Sequence, residues 1–303
     1  MATVEELEAA ARAALDPAVF DFFAGAADEE ATLAANRAAW DAVPSRPAAS
    51  AAAAIGVAPM GYQGLLHPDA ELGTARGAAD AGTLNIVSTR SSRSLEEIAA
   101  AAPASRLWFQ VYVLRDRSLT ARMVELAAAS GYESLVLTGD TPFLGRKRRD
   151  ARNGFAVPEE HAAGNLSVPR HSPGAQQDPA VTFEDIAWLK EVSGLPVLVK
   201  GVLRADDARR CLEAGAAGVI VSNHGGRQLD GAVATAEALP EVVAEIAGEV
   251  PVLVDGGVDS AADVRRALAL GADTVLVGRP VAWALAAGGA AAVSELLAEL
   301  AGS

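Results

Sequence analysis

The sequence predicts a TIM-type (β/α)8 barrel, an α/β fold in which eight parallel strands alternate with eight helices. Three observations lead to this prediction: short apolar runs recur eight times, a helical pattern follows each run, and the 303 residues suffice for one such barrel. We therefore expect a single domain over residues 1–303, with residues 1–50 as a helical N-terminal extension. A doubly wound open sheet is the structural alternative, because a sequence does not show strand order.

The predicted strands are short and almost continuously apolar, which is typical of parallel strands buried on both faces. In such a barrel the carboxyl ends of the strands build the active site. The predicted strands are Ala54–Pro59, Leu84–Thr89, Leu107–Val113, Ser134–Gly139, Pro196–Gly201, Gly218–Asn223, Pro251–Gly256 and Asp273–Gly278.

Helical patterns lie between these strands and before the first one. Asp116 and Ser118 offer N-caps for the third barrel helix, and Gly271 offers a C-cap for the seventh. Two earlier helices, Val4–Ala14 and Glu29–Trp40, are expected to cover the N-terminal face of the barrel. The predicted barrel helices are Ala70–Ala81, Leu95–Ala102, Ser118–Ser130, Phe183–Val192, Ala205–Ala214, Thr235–Ala247, Ser260–Leu270 and Val281–Leu300.

Composition excludes several classes of protein. Acids outnumber bases by 39 to 25, for a net charge of −14, so nucleic acids and anionic membrane surfaces are poor partners. The single cysteine, Cys211, excludes an internal disulfide, and with only four histidines we predict no metal site. No secretory signal is visible and the uncharged stretch Pro280–Val293 is too short to span a bilayer, so we expect a soluble, cytoplasmic protein.

The most informative segment runs from Ser222 to Asp230, at the end of the sixth predicted strand. His224 stands where side chains face the mouth of the barrel, and two glycines follow it, so that a ligand can approach the backbone closely. Arg227 can hold a carboxylate in bidentate fashion. A base beside such a clamp suits proton abstraction from a substrate that carries a carboxylate. A capped loop with a solvated arginine is the alternative interpretation.

A second segment, Thr138–Arg146, follows the fourth predicted strand. Asp140 could orient His224 and stabilise its imidazolium form, and Arg146 could supply a second carboxylate clamp. The basic residues 147–149 are interpreted as a solvated loop. Residues 146–182 form the longest connection, which we expect at the C-terminal face as an active-site loop that could act as a lid.

Three further strand ends indicate a bound anion. Lys200 ends the fifth strand and could stabilise negative charge on a cofactor, while an imine-forming lysine and a structural lysine are the alternatives. The glycine-rich ends of strands seven and eight, at Gly257 and Gly278, each lead to a helix N-terminus. This arrangement binds phosphate in many barrels, including unrelated ones.

Together these segments resemble the FMN-dependent α-hydroxy-acid oxidase and dehydrogenase family, which includes glycolate, lactate and mandelate enzymes. The resemblance runs from about residue 5 to the end, and its most specific part is the segment Ser222–Asp230. Within the family the chain looks most like the hydroxymandelate-oxidase branch, through Arg149–Phe155 and Arg279–Leu285. Matching segments also include Phe20–Ala26, Ala58–Pro59, Phe109–Tyr112 and Thr138–Arg146.

The resemblance implies oxidation of an (S)-2-hydroxy acid, mandelate-like and aromatic, to the α-keto acid. His224 would take a proton from Cα or from the hydroxyl, with Asp140 paired to it. Arg146 and Arg227 would hold the substrate carboxylate, and Tyr112 would contact the substrate hydroxyl. Oxygen, a quinone or another acceptor would then reoxidise the flavin.

The resemblance also implies FMN as the cofactor. Lys200 would lie near N1 and O2 of the flavin, where the reduced ring carries negative charge. The other residues that it assigns to FMN are Ser88, Gln110 and Thr138 at the isoalloxazine, Ser222 beside Lys200, Asp255 at the ribityl chain, and Gly257, Gly278 and Arg279 at the phosphate.

Three pocket residues depart from the family pattern. Phe22 stands where many members have a tyrosine that helps to hold the carboxylate, so the site is more apolar and suits an aromatic substrate. Arg90 replaces a bulky tryptophan of glycolate-type members and either contacts the carboxylate or reaches solvent. Gly61 replaces an alanine and frees space beside the flavin.

Asp259 departs further, because the family usually has an arginine here that binds the FMN phosphate. An aspartate brings like charge to the phosphate and could cap the following helix, so we expect weaker FMN binding. The alternative is that Asp259 points outward while Arg279 and backbone amides suffice.

The family is usually tetrameric, which implies a homo-oligomer, although a shortened segment between Pro47 and Ala58 leaves that assembly open. Two other functions stay open as alternatives: an FMN-dependent, redox-neutral isomerase, and a catalytically impaired flavin-binding homologue. The base beside a carboxylate clamp argues against the first, whereas Asp259 motivates the second.

Overall fold

The computed structural model of the chain describes residues 2–44, 54–142, 144–162 and 164–302. Eight parallel strands pair in chain order and the last pairs with the first, so the predicted closed barrel is confirmed and the open sheet is excluded. The strands are β1, Ile55–Val57; β2, Leu84–Ser88; β3, Arg106–Val111; β4, Ser134–Thr138; β5, Val197–Val202; β6, Gly218–Val221; β7, Val252–Val254; and β8, Thr274–Val277.

The predicted helices agree with the observed ones to within two residues at each end. Asp116 caps its helix as expected, since its Oδ1 accepts from the Ser118 backbone N–H at 3.0 Å. The helices are α1, Val4–Ala14; α2, Pro17–Ala24; α3, Ala31–Ala42; α4, Ala70–Asp80; α5, Leu95–Ala101; α6, Arg117–Ala129; α7, Arg148–Asn153; α8, Glu184–Ser193; α9, Ala205–Glu213; α10, Thr235–Ile246; α11, Ala261–Ala269; and α12, Arg279–Ala301.

Two hydrophobic layers hold the barrel together. One lies between the strands and the surrounding helices, and the other fills the barrel interior. Because both faces of each strand are covered, every residue of β2 and of β4 is buried, which explains the continuous apolar runs in the sequence. The interior residues are Ala58, Leu84, Ile86, Val136, Leu198, Ile220, Leu253 and Leu276.

The expectation that the N-terminal helices cover the N-terminal face is wrong for α3. The buried Asn36 exchanges amide hydrogen bonds with Asn223, just after β6, and Trp40 donates its indole N–H to the carbonyl of Gly256, just after β7. These polar partners exist only at the carboxyl ends of the strands, so α3 docks there. Helix α2, which the sequence analysis missed, begins with Asp16 as its N-cap and Pro17 at its first position. Residues 45–50 of the predicted extension lie outside the described residues, as does most of the segment after Pro47.

Helix α12 is longer than its predicted uncharged core. By length and composition alone, this 23-residue helix could cross a membrane, since its most apolar stretch of 18 residues has a mean hydropathy of 1.6. In the structure α12 packs against α1 and α4, and Trp283, Leu285 and Leu297 are buried. This packing is that of a core helix of the barrel.

Candidate active site

A cavity of about 900 Å³ opens at the carboxyl ends of the strands. Its volume lies in the range of ligand and cofactor pockets. It is lined by twelve of the residues that the sequence analysis selected: Phe22, Gly61, Ser88, Arg90, Tyr112, Lys200, His224, Arg227, Asp255, Gly257, Gly278 and Arg279.

His224 is held from three sides. Its Nδ1 lies 3.1 Å from both carboxylate oxygens of Asp140, and its Nε2 lies 3.4 Å from the hydroxyl of Tyr112. Its backbone N–H donates to Ser222 Oγ at 3.0 Å, in a left-handed conformation with φ of 58°. The imidazole is therefore fixed in orientation, with Nε2 on the cavity side and Asp140 behind it.

The charges around His224 favour an ionised carboxylate. Burial opposes ionisation of Asp140, but the contacts with His224 and the charge of Lys200 hold the pKa of Asp140 below its usual value. Burial and the negative charge of Asp140 raise the pKa of Tyr112, so its hydroxyl stays protonated and can donate a hydrogen bond. The pair of His224 and Asp140 can therefore accept and stabilise a proton.

Lys200 is buried between two polar side chains. Its Nζ donates to Ser222 Oγ at 2.7 Å and lies 3.1 Å from Asp255 Oδ2. The side chains of Lys200 and Asp255 are only 4% and 7% exposed. An ammonium group paired in this way is a poor nucleophile, which argues against the imine-forming alternative and for a fixed positive charge.

A hydrogen-bonded chain joins the ends of β2, β3 and β4. Gln110 donates from Nε2 to Thr138 Oγ1 at 2.8 Å and accepts at Oε1 from Ser88 Oγ at 3.1 Å. All three side chains are buried, and only Ser88 lines the cavity directly. In this structure Gln110 and Thr138 therefore support the cavity wall.

Two arginines hold the carboxyl end of α2. Arg227 Nη1 and Arg279 Nη2 both donate to the carbonyl of Gly25, at 2.7 and 2.9 Å. Arg279 also donates from Nε to Phe23 and from Nη1 to Gly225, both to backbone carbonyls. Burial lowers the pKa of Arg227, and burial with the nearby charge of Arg227 lowers that of Arg279 to about 10. Among the described residues, both guanidinium groups bond to backbone carbonyls and neither pairs with a carboxylate, so two cations lie close together in a way that suits an anionic ligand.

An aromatic wall is formed by Phe22 and Tyr62, which line the cavity, and by Phe155 packed behind Phe22. The ring of Phe22 lies 5.3 Å from that of Phe155 and 6.0 Å from that of Tyr62, measured between centroids. Sequence analysis missed Tyr62, which has a left-handed backbone with φ of 61° and lines the cavity. Neither composition nor periodicity indicates that a non-glycine residue after a strand end will adopt a left-handed conformation.

Arg90 and Gly61 pack against each other at the mouth of the cavity. Arg90 is half-buried rather than free in solvent, and its Nη2 donates to the carbonyl of Ala175 at 3.0 Å. A Cβ at Gly61 would lie 2.8 Å from the Arg90 Cβ. The absence of a side chain at Gly61 is therefore required by the position of Arg90 as well as leaving space in the pocket.

The structure does not bring Arg146 to the cavity. Its side chain is exposed and is not part of the cavity lining, whereas Phe143 lies outside the described residues. The next residue, Lys147, is half-buried and donates from Nζ to the carbonyl of Arg227 and, at 3.1 Å, to that of Gly145. Burial and the charge of Arg227 lower the pKa of Lys147 to about 8.

The interpretation of residues 147–149 as a solvated loop is wrong for Lys147 and also for Arg149. Arg149 lines the cavity and forms ion pairs with Glu30 and, at 3.3 Å, with Asp21. Only Arg148 is exposed, where it pairs with acids of the α2–α3 loop. Helix α7 is thus joined to the N-terminal helices by charge, a long-range contact that local sequence does not show.

The long connection 146–182 lies at the C-terminal face. Asn165 donates to the Ser88 carbonyl at 3.4 Å and to Ser91 Oγ at 2.7 Å, beside the end of β2. Arg170 donates to the Tyr62 hydroxyl at 3.0 Å. The connection therefore borders the cavity, and its action as a lid stays a prediction.

The lining of the cavity fits FMN. Asp255 Oδ1 is buried and has no hydrogen-bond partner among the described residues, so it can accept from a ribityl hydroxyl. A Cβ at Gly278 would meet nothing closer than the Ala58 Cβ at 3.8 Å, so the backbone there is open to a ligand. Gly257 differs, because a Cβ there would lie 2.7 Å from Asn36 Cβ and its backbone has a φ of 82°, so the packing of α3 and the local conformation both require the glycine.

A histidine–aspartate pair, a fixed lysine and an open, glycine-rich loop end on a (β/α)8 barrel define a class of barrel enzyme that can hold a phosphate-bearing cofactor beside a base. The sequence profile of the FMN-dependent dehydrogenase family matches residues 11–302. The chain belongs to this family, and its cofactor is FMN.

Individual relatives cover almost the whole chain. It is 45% identical to 4-hydroxymandelate oxidase of Amycolatopsis orientalis, over 99% of this chain and 91% of that protein. It is 43% identical to L-lactate oxidase of a Nostoc species, over 97% of this chain and 90% of the relative. The crystal structure of mandelate oxidase superposes with a TM-score of 0.91 at 46% identity, covering 100% of this chain and 92% of the other.

Proposed function

We propose that the protein oxidises an α-hydroxy acid with an aromatic side chain to the corresponding α-keto acid. The observation that carries this proposal is His224, held between Asp140 and Tyr112 with its Nε2 toward the cavity and Arg227 beside it. This arrangement provides a base for the substrate and a cation for its carboxylate in one pocket.

The proton that leaves the substrate goes to His224. Its Nδ1 is occupied by Asp140, so Nε2 is the atom that accepts the proton, and the carboxylate stabilises the imidazolium that forms. Tyr112 donates its hydroxyl hydrogen bond to the substrate oxygen. When bound, FMN supplies the acceptor for the two electrons that leave the substrate carbon.

Arg227 is the residue that we expect to bind the substrate carboxylate. Within the described part of the chain, the hydrogen bonds of its guanidinium come from Nη1 alone and go to two backbone carbonyls. The other nitrogens remain available for an anion. Its guanidinium lies 5.4 Å from the centroid of the Phe22 ring, so a bound carboxylate would lie next to the aromatic wall.

The wall formed by Phe22, Tyr62 and Phe155 supports an aromatic substrate. Aromatic rings pack favourably at centroid distances of about 4.5–7 Å, and a fourth ring from the substrate could join this cluster. The similarity to proteins named 4-hydroxymandelate oxidase and mandelate oxidase supports the same substrate class. Oxygen or another acceptor, a cytoplasmic location and a homo-oligomer remain predictions.

An anaerobic absorbance experiment tests the proposal. Racemic mandelate is added to the purified protein, with lactate and glycolate as comparators. Bleaching of the flavin spectrum by mandelate is the expected result, because oxidation of the acid reduces the flavin. The isomerase alternative predicts no bleaching, because it involves no net reduction. A spectrum that stays oxidised with all three acids would contradict the proposal and would fit either the isomerase or the impaired homologue.

The variant His224→Ala tests the proposed base. We expect loss of flavin reduction by roughly 10²- to 10⁴-fold, with FMN still bound. His171→Ala is the matched control, because the His171 side chain is 75% exposed and lies on the surface of the long connection. An unchanged rate in His224→Ala would eliminate this residue as the base.

A further inference from the structure

An ion pair stands at the end of the cavity where β7 and β8 terminate. We call this region, formed by Arg37, Gly257, Asp259, Gly278 and Arg279, the phosphate end. Arg37 comes from α3, which docks on the carboxyl ends of the strands, and Asp259 follows β7. Loops after the last two strands are where barrels of this type bind phosphate groups.

Asp259 lines the cavity and forms an ion pair with Arg37. Arg37 donates to Asp259 Oδ2 from both Nε, at 3.1 Å, and Nη2. The expected helix-capping role of Asp259 is wrong, because Ser260 is the N-cap of α11 and accepts from the Asp263 backbone N–H at 3.2 Å. The alternative that Asp259 points outward is also wrong, since its side chain is only 23% exposed.

Positive charge at the phosphate end is scarce. All three nitrogen positions of Arg279 donate to backbone carbonyls. Among the described residues, Asp259 pairs with Arg37, and the negative charges of Glu5 and Glu8 also act on this arginine. Of the hydrogen bonds formed by the described residues, none comes from Arg37 Nη1, and its side chain is 54% exposed, so it can turn toward a ligand.

We propose that Arg37 is the second cation for the FMN phosphate and that Asp259 competes with the phosphate for it. A guanidinium can bind a phosphate and a carboxylate at the same time, but the two anions then share its donors and its charge, so each is bound more weakly than it would be alone. Asp259 thereby sets the affinity for FMN without touching the flavin ring. The proposal rests on FMN as the cofactor and does not depend on which substrate is oxidised.

Flavin binding to the apoprotein tests the proposal, measured by fluorescence quenching with FMN and with riboflavin, which lacks the phosphate. We expect Arg37→Gln to weaken FMN at least about tenfold and to leave riboflavin unchanged, since one charge pair at the phosphate is lost. Asp259→Asn should tighten FMN severalfold, again without an effect on riboflavin. Arg265→Gln removes the same charge from an exposed position on α11 and serves as the control.

The outcomes separate local from general effects. Riboflavin affinity reports whether the cavity of each variant is intact, so equal weakening of both flavins by Arg37→Gln would overturn the proposal. Unchanged FMN affinity in Arg37→Gln, or weaker FMN binding in Asp259→Asn, would also overturn it. If the variants bind FMN as expected but none of the tested hydroxy acids reduces the bound flavin, the result would contradict the proposed function and leave this proposal intact.

Discussion

His224 combines a rare backbone conformation with the central position in the site. A non-glycine residue at φ of 58° costs on the order of 1–3 kcal/mol, which the surroundings must offset. The bonds to Asp140 and Ser222 Oγ hold it there, and the two glycines that follow also have positive φ. The left-handed backbone conformation of His224 directs its imidazole toward the cavity.

The variant Asp140→Asn tests the role of the carboxylate behind His224. The amide keeps the size of the side chain but cannot stabilise an imidazolium, so flavin reduction should slow by roughly 10²- to 10⁴-fold while FMN stays bound. Stopped-flow reduction measures this directly. Asp80→Asn, at an exposed position on α4, is the control, and equal rates for the two variants would contradict the assignment.

Substitutions of the neighbouring residues Lys147 and Arg146 should affect KM differently. Lys147→Met should raise KM for the hydroxy acid severalfold, because Lys147 holds the Arg227 carbonyl, whereas Arg146→Met should change it less than about twofold. The lysine is charged below its pKa of about 8 and neutral above it. In the unmodified protein KM should therefore rise as the pH passes 8, and this rise should disappear in Lys147→Met. If Arg146→Met raised KM more than Lys147→Met, the result would support the original prediction that Arg146 holds the substrate carboxylate.

At the scale of elements, α3 docks on the face of the barrel that carries the site. Its first turn has no cap of its own, since Glu30 at the N-cap position is left-handed and makes no capping bond. Asp230 supplies the cap from a distant loop, accepting from Glu29 N at 3.0 Å and Thr32 N at 2.9 Å. The segment with His224 and Arg227 is thus fastened to α3 at its far end.

The variant Asp230→Ala should lower the free energy of unfolding by about 0.5–2 kcal/mol, the usual cost of a lost helix cap. The contacts with the backbone of Thr32 and Glu29, which outweigh burial, lower the pKa of Asp230 below its ordinary value of 3.8. This stabilisation is therefore present above about pH 4 and is lost as the pH falls further. Denaturant unfolding at pH 7 and pH 3 checks both points, and an equal deficit at the two pH values would contradict them.

At the scale of the molecule, the barrel interior provides the rigid frame. Its cluster of buried aliphatic residues receives side chains from seven of the eight strands or from the residue after them. Charge is distributed differently: the surface is acidic, with a net charge of −14, while the cavity gathers Lys200, Arg227 and Arg279. We therefore expect an anionic substrate to be repelled from the surface and attracted to the cavity.

The variant Ile220→Ala tests the interior layer. This side chain is fully buried, so its truncation should cost about 2–5 kcal/mol of unfolding free energy. Leu144→Ala, at a residue that is 76% exposed, should cost less than about 0.5 kcal/mol. Equilibrium denaturation compares the two, and similar losses would show that the interior is not the main source of stability.

Local signals account for what could be predicted. Continuous apolar runs and helical spacing located the barrel elements, and chemistry-bearing residues at strand ends located His224, Lys200 and Asp255. Contacts between distant segments account for what was missed. Arg149 reaches Glu30 across more than a hundred residues of chain, and Tyr62 depends on a backbone conformation that no pattern encodes.

The sequence by itself determined the strands and helices, the resemblance to the family and the residues at the strand ends, because these follow from periodicity and from local motifs. Only the tertiary structure decided which of two neighbouring basic residues faces Arg227, where α3 docks, and that Asp259 binds Arg37. The physical reason is that each of these depends on pairing between polar groups far apart in the chain. Such groups find partners only after the barrel has brought its loops together.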